Sequence, residues 1–236
     1  MLAVNQVGIG NRILGALSQE EFSRVFHHLE TVRLEKGEVV YVAGDRISHA
    51  YFPIVGLLSL LSTTETGSTL EVAMVGIEGM VGLLTILRKD LIPYEVIVRI
   101  TTEAFKIRAE ALQEEFDKGQ MLQDGLLRYL NVLLTQISQS TICNRFHTLE
   151  EALSRWLLIV QDRLNSNILD FTQETISHAL GVPRTGVTMA AGALQKAGLI
   201  SYSRGKIVIL DRPRLEARSC ECYRIVHDEL DNFLNK

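Results

Sequence analysis

The stretch that decides the fold is residues 170–210, DFTQETISHALGVPRTGVTMAAGALQKAGLISYSRGKIVIL. Thr172 carries the hydroxyl of a helix N-cap, and Gln173, Glu174 and Thr175 fill the first turn behind it. Ile176, Ala179 and Leu180 share one face of that short helix. Gly181 supplies the left-handed residue that ends it. Pro183 stands at or near the first position of a second helix, where its missing N–H costs little. That helix runs to about Ala197 and stops at Gly198. Leu199-Ile200-Ser201-Tyr202 and Lys206-Ile207-Val208-Ile209-Leu210 then read as two strands joined by Ser203-Arg204-Gly205. Helix, turn, helix and hairpin in this order make the winged helix-turn-helix pattern.

The second helix sorts by face. Val187, Ala190, Ala191 and Leu194 fall on a side that can pack inward. Arg184, Thr185, Thr188, Met189 and Gly192 fall on the other. An exposed stripe of one arginine, small hydroxyls and a glycine suits entry into a DNA major groove. Arginine can donate two bonds to guanine O6 and N7, and threonine can bond a base edge or touch a thymine methyl. The wing offers Arg204 and Lys206 to phosphates, and the helix starts at Thr172-Gln173 and Pro183 offer backbone N–H groups. The alternative is a winged helix used only for protein contacts.

Working outward, the chain changes texture twice. Residues 11–29 place Leu14, Leu17, Phe22, Val25, Phe26 and Leu29 at helical spacing, with Ser18 and Glu21 as a capping box. From Thr31 to about Arg108, β-branched and aromatic runs alternate with Gly, Pro and Asp turns: TVRLEKGEVVYVAGD, AYFPIVGLLSLLS, STLEVAMVG, YEVIVRI and EAFKIRA. Short strands with Gly-rich corners predict a small antiparallel β-roll or jelly roll. Residues 119–146 return to helix, and Leu122, Leu126, Tyr129 and Leu133 form a coiled-coil-like seam. A second apolar face, Leu127, Leu130, Leu134 and Ile137, is available to pack on the β domain. A helix apolar on two faces needs two partners, and we read it as a homodimer helix; the alternative is a buried helix of one domain. A further helix, His147 to Leu164, carries Leu149, Leu153, Trp156, Leu157 and Val160 on one side. The fold class is α+β, with a β-roll over 1–118, a dimer helix over 119–146 and a winged helix-turn-helix domain over 147–236.

Charge follows the same division. The chain has 236 residues, 24 Lys+Arg and 28 Asp+Glu, for a net charge of −4. That total argues against coating nucleic acid by bulk charge. Residues 171–224 nevertheless hold eight Lys/Arg against four Asp/Glu, so the basic surplus is local to the winged helix. With 47% hydrophobic and 22% charged residues, the composition is that of a globular chain. The longest apolar run, Met80 to Leu87, is far short of the roughly 20 residues of a membrane span. The opening MLAVNQVGIGNRIL lacks the pattern of a secretory signal. Three cysteines, Cys143, Cys220 and Cys222, fit a reducing cytoplasm better than a disulfide framework. No Ser-His-Asp order, metal spacing or phosphate loop suggests an enzyme.

The order β-roll, long helix, winged helix-turn-helix resembles the bacterial family of the cyclic-AMP receptor protein and the fumarate-nitrate regulator. The resemblance spans nearly the whole chain. It is carried by TQETISHALGVPRTGVTMAAGALQKAGLISYSRGKIVI and by the hinge tract CNRFHTLEEALSRWLL. It implies a transcription regulator that binds double-stranded DNA as a homodimer on an approximate palindrome and works with RNA polymerase. It places Arg184 as the guanine reader, with Thr185 where many members carry Glu and Met189 where some carry a second Arg.

The family's cyclic-nucleotide cassette needs an acceptor for ribose hydroxyls and a cation for the buried phosphate. In the matching stretch Gly82 is followed by Leu83, and the Arg-Ser position holds Pro93-Tyr94. Ser140-Thr141 fall where the family contacts the base across the dimer. These six positions are the effector-pocket candidates, with cyclic AMP not expected and no cofactor assigned. A four-thiolate iron–sulfur sensor is excluded by three cysteines. A metal site from Cys143, His147, Cys220 and Cys222 is imaginable, but C-x3-H and C-x-C are poor spacings far apart in sequence, and none is expected.

Overall fold

The computed structural model describes residues 9–235. Residues 1–8, which open the stretch read against a secretory signal, and residue 236 lie outside the described residues. The chain divides into two compact units: residues up to 60 with 74–133, and residues 61–73 with 134–235.

The first unit starts with a short α1 (Arg12–Gly15) and α2 (Gln19–Phe26). Asn11 is 2% exposed and spends its whole side chain. Its Oδ1 accepts from the Ile13 and Leu14 N–H groups, and its Nδ2 donates to the Pro53 and Gly79 carbonyls at 3.0 and 2.8 Å. Ser18 caps α2 by accepting from the Glu21 N–H. An antiparallel sheet follows, from β1 (Glu30–Leu34), β2 (Val39–Tyr41), β3 (His49–Thr63), β4 (Thr69–Val75) and β5 (Glu95–Arg108). Its order is β1-β5-β3-β4, with β2 also on β5. The runs YEVIVRI and EAFKIRA are one strand, β5, because the β-branched Thr101-Thr102 carries the extended backbone between them. β1 pairs along it from Glu30 opposite Lys106 to Leu34 opposite Thr102. A 3-10 turn spans Leu83–Leu87, and α3 (Ala109–Phe116) leads to α4 (Met121–Phe146).

α4 corrects one expectation. The seam Leu122, Leu126, Tyr129 and Leu133 is 0–8% exposed inside the chain itself. Tyr129 lies against Gly79, where a Cβ would come within 2.1 Å of its ring, and the Leu122 N–H donates to Glu21 at 3.2 Å. The face left outside carries Leu127, Leu134 and Ile142, which are 46%, 54% and 41% exposed. Periodicity finds both apolar faces; the Gly79 notch and the buried Glu21 carboxylate decide which one turns inward.

The second unit contains α5 (Leu149–Leu164), β6 (Ile168–Asp170), α6 (Gln173–Leu180), α7 (Arg184–Lys196), β7 (Ile200–Ser203), β8 (Lys206–Ile209), α8 (Arg212–Arg218) and α9 (Glu221–Leu234). Thr148 and Glu151 close a full capping box at the start of α5. Trp156 of α5 packs edge-on to Phe171 at 5.0 Å and donates its Nε1–H to Glu71 at 2.8 Å, which satisfies the indole inside the core. The three strands form a small antiparallel sheet, β6-β8-β7. β6 is the strand added to the expected hairpin.

Candidate nucleic-acid interface

Local chemistry sets the geometry of α6 and α7. Thr172 Oγ1 accepts from the Thr175 N–H at 3.1 Å, so α6 is capped. Gly181 takes φ 63°, and Ser177 Oγ donates to the Val182 carbonyl at 2.6 Å, which fixes the turn. Pro183 is the N-cap of α7, in extended backbone with ψ 144°. Val187, Ala190, Ala191 and Leu194 are buried beneath α7. Gly186 lets α7 approach α5, since a Cβ there would stand 3.0 Å from Leu149 Cδ2.

The outer stripe of α7 is open. Arg184, Thr185, Thr188, Met189 and Gly192 are all exposed, Met189 to 76%. Thirteen residues make a rod about 20 Å long, and a helix of ~10–12 Å diameter fits a major groove ~12 Å wide. The wing turn is tight: Ser203 pairs with Lys206, with Arg204 at φ 50° and Gly205 at φ 80° between them. Two successive positive φ values make the hairpin turn that matches strand twist. Thr172, Gln173, Arg184, Tyr202, Arg204 and Gly205 together line a cleft of about 390 Å³.

Tyr202 of this cleft and Thr188 of α7 gain roles that sequence reading missed. Tyr202 donates its hydroxyl to the Phe171 carbonyl at 3.1 Å, and its N–H donates to Gln195 Oε1 at 2.7 Å. It ties the wing to the helices. Thr188 has one hydroxyl hydrogen, and both Gln173 Oε1 at 2.9 Å and the Arg184 carbonyl at 3.0 Å take it. Thr188 therefore offers DNA an acceptor, and it holds the Gln173 amide in place.

The cations of the unit sort into two sets. Arg212 pairs with Asp162 at 2.7 Å and with Glu216 at 2.8 Å, Arg214 lies 3.6 Å from Asp211, and Arg218 pairs with Glu150 at 2.6 Å. Among the described residues, Arg184, Lys196, Arg204 and Lys206 have no carboxylate within ion-pair distance. Among the described residues the exposed Arg145 and Arg224 also lack such a partner, and Lys196 ends α7; Arg184, Arg204 and Lys206 are the members of this set at the start of α7 and on the wing.

The effector-pocket candidates are less polar than a phosphate site needs. Gly82 has φ 88°, and a Cβ there would meet the His49 carbonyl at 2.9 Å. Leu83 is 1% exposed, Pro93 is exposed, and Tyr94 is half-buried, with burial pushing its phenol up to about 12. Arg88 is engaged by Asp117 at 2.9 Å. Ser140 is buried and accepts from Arg155 Nη1 at 3.4 Å, while Thr141 is exposed and donates to the Ile137 carbonyl at 3.0 Å.

The fold gathers four residues that the sequence spaces widely. Cys143, His147, Cys220 and Cys222 lie far apart in sequence, yet their candidate ligand atoms all come within 4.8 Å of one another. One helical turn brings Cys143 and His147 together at the end of α4, and Cys220 and Cys222 stand at the start of α9. Cys220 is pushed down to about 6, first by the hydrogen bond from Cys143, while the same bond and burial push Cys143 up.

The fold and the cleft define a winged helix-turn-helix DNA-binding regulator with an N-terminal β-roll. Two family models match in that order: the cyclic nucleotide-binding domain over residues 31–118 and the Crp-like helix-turn-helix domain over 151–218. The chain belongs to the CRP/FNR family of transcription regulators. The global nitrogen regulator of Synechococcus elongatus is 24% identical over 196 residues, covering 78% of this chain and 86% of that protein. The structure of FixK2 from Bradyrhizobium japonicum superposes with a TM-score of 0.72 at 16% identity, covering 81% of this chain and 98% of that one. A regulator assigned to the crp/fnr family from Eubacterium rectale gives 0.68 at 22%, covering 88% and 95%. No helix among the described residues is long and apolar enough to cross a membrane.

Proposed function

We propose that the chain acts as a homodimer on a roughly palindromic operator, with α7 of each protomer in a major groove. The observation that carries this reading is the set of uncompensated cations, Arg184, Arg204 and Lys206, around one exposed helix face. Arg184 reads a guanine, Thr185 and Met189 face the neighbouring bases, and Arg204 and Lys206 hold phosphates. Thr172, Gln173 and Pro183 set the helix starts against the backbone. The dimer is built on the outer face of α4, where the exposed Leu127 and Leu134 stand one heptad apart. Two recognition helices then sit one DNA turn apart, about 34 Å. The segments 1–118, 119–146 and 147–236 serve as effector domain, dimer helix and DNA-binding domain. The protein works in the cytoplasm and meets RNA polymerase at its promoters.

Genomic footprinting of the full chain tests the reading. A two-fold symmetric footprint of about two helical turns supports it, and protection without sequence preference sinks it. Light scattering tests the dimer: Leu134→Glu should shift the protein toward monomer, and a dimer unaffected by it would place the interface elsewhere. The buried Leu83 and the Pro93-Tyr94 pair argue against a cyclic nucleotide as effector. Calorimetry with cyclic AMP should show no saturable heat at micromolar concentration, and clear micromolar binding would overturn that part.

A further inference from the structure

We propose that Cys143, His147, Cys220 and Cys222 form a tetrahedral site for a single thiophilic divalent ion of the zinc class. Three thiolates and one imidazole are a common ligand set of structural zinc. Cys143 Sγ lies 3.6 Å from Cys220 Sγ, and Cys222 Sγ lies 3.6 Å from His147 Nδ1. A tetrahedron with ~2.3 Å metal–sulfur bonds has edges of about 3.8 Å, so these two edges are already at their bonded length. The remaining edges, up to 4.8 Å, close by small rotations of side chains. A multinuclear iron–sulfur cluster attaches its ligands to different metal atoms and spreads them wider than this.

Two observations outside the four ligands point the same way. The first is Glu221, beside His147. The His147 Nδ1 faces Cys222, while its Nε2 lies 3.4 Å from a carboxylate oxygen of Glu221. A ligating imidazole needs its other nitrogen protonated and held, and a carboxylate is one of the groups that does this in zinc sites. The second is Arg155. It is 5% exposed, and its Nε has no hydrogen-bond partner. No carboxylate among the described residues lies within ion-pair distance of it, and its charge acts on the Cys143 and Cys222 thiols. A buried cation requires a buried anion. A divalent ion with three thiolates and a neutral imidazole carries one negative charge, which matches one guanidinium. Loading the site releases the thiol protons to solvent.

The placement gives the ion a task. Cys143 and His147 end α4, and Cys220 and Cys222 begin α9. The bound ion therefore pins the last helix of the DNA-binding unit to the hinge after the long helix. The inference does not depend on the operator reading, because its measurement uses no DNA.

The test is a cobalt(II) titration of the reduced full-length chain under argon, followed by displacement with zinc(II). One equivalent per chain should give the strong visible absorption of tetrahedral cobalt with thiolate charge-transfer bands, and zinc should erase both. Glu221→Gln keeps all four ligands and should weaken zinc binding tenfold to a hundredfold at unchanged stoichiometry. Cys222→Ser removes one of three thiolates and should lower the charge-transfer intensity in that proportion; should it fail to fold, Glu221→Gln still carries the test, because Glu221 is exposed. A weak octahedral spectrum, no saturable binding, or a Cys143–Cys220 disulfide without metal in cells quenched anaerobically would overturn the site.

Discussion

Arg184 and Arg155 are two arginines of one compact unit in opposite surroundings. Neither has a carboxylate partner among the described residues. Arg184 stands in water at the start of α7, where hydration satisfies the charge until a phosphate or a guanine replaces it. Arg155 is 5% exposed beneath the end of α4, where burial removes it from bulk solvent. An unpaired cation is informative in proportion to its burial. On the surface it marks a place for an external anion, and in the core it demands an internal one.

The comparison breaks first at Arg155, where the largest effect is expected. Arg155→Met keeps similar bulk and removes the charge. In zinc-loaded protein this strips the partner from an anionic thiolate centre and should cost about 3 kcal/mol, within the usual 3–5 for a broken buried pair. In protein stripped with a chelator the cation faces at most the single thiolate of Cys220, and the same change should cost less. Melting curves with and without chelator measure the difference. Equal destabilisation in both would mean that Arg155 serves packing and that the two arginines differ only in depth.

Arg184 comes next. Loss of a bidentate guanine contact costs about 1–3 kcal/mol, roughly a tenfold to a hundredfold drop in operator affinity. Arg184→Ala should also relax preference at a single base position in each half-site, read by competition against substituted operators. A uniform loss across all positions would reassign Arg184 to phosphate binding.

The same contrast explains what the sequence discloses. The recognition unit is legible because its signals are local: Thr172 caps, Gly181 turns, and Arg204-Gly205 closes a hairpin within a few residues. The cysteine site is illegible because Cys143 and Cys220 meet only after α5 to α8 have folded between them. The strand β6 is hidden for a similar reason, since Ile168-Leu169-Asp170 becomes a strand by pairing with Val208, Ile207 and Lys206. On α4 the sequence shows two apolar faces. It does not show that Gly79 leaves room for Tyr129, which is what turns the 122–133 seam inward. Legibility thus tracks sequence separation, and the dimer face Leu127-Leu134 emerges only by subtraction once the inner face is assigned.

The smallest effect separates surface cations from one another. Lys206 on the wing and Arg218 at the end of α8 are both exposed, but Arg218 is held by Glu150 at 2.6 Å. A cation that neutralises a phosphate releases counterions, and each such contact adds about 0.9 to the slope of log affinity against log salt. Lys206→Ala should therefore flatten that slope by about one contact while lowering affinity equally for operator and unrelated DNA. Arg218→Ala removes a charge already matched inside the protein, so the slope should stay within error. Fluorescence anisotropy across a salt series measures both variants on the same oligonucleotides. If Arg218→Ala flattened the slope as much as Lys206→Ala, the Glu150 pair would have to open on binding. Pairing in the free protein would then no longer tell which cations meet DNA.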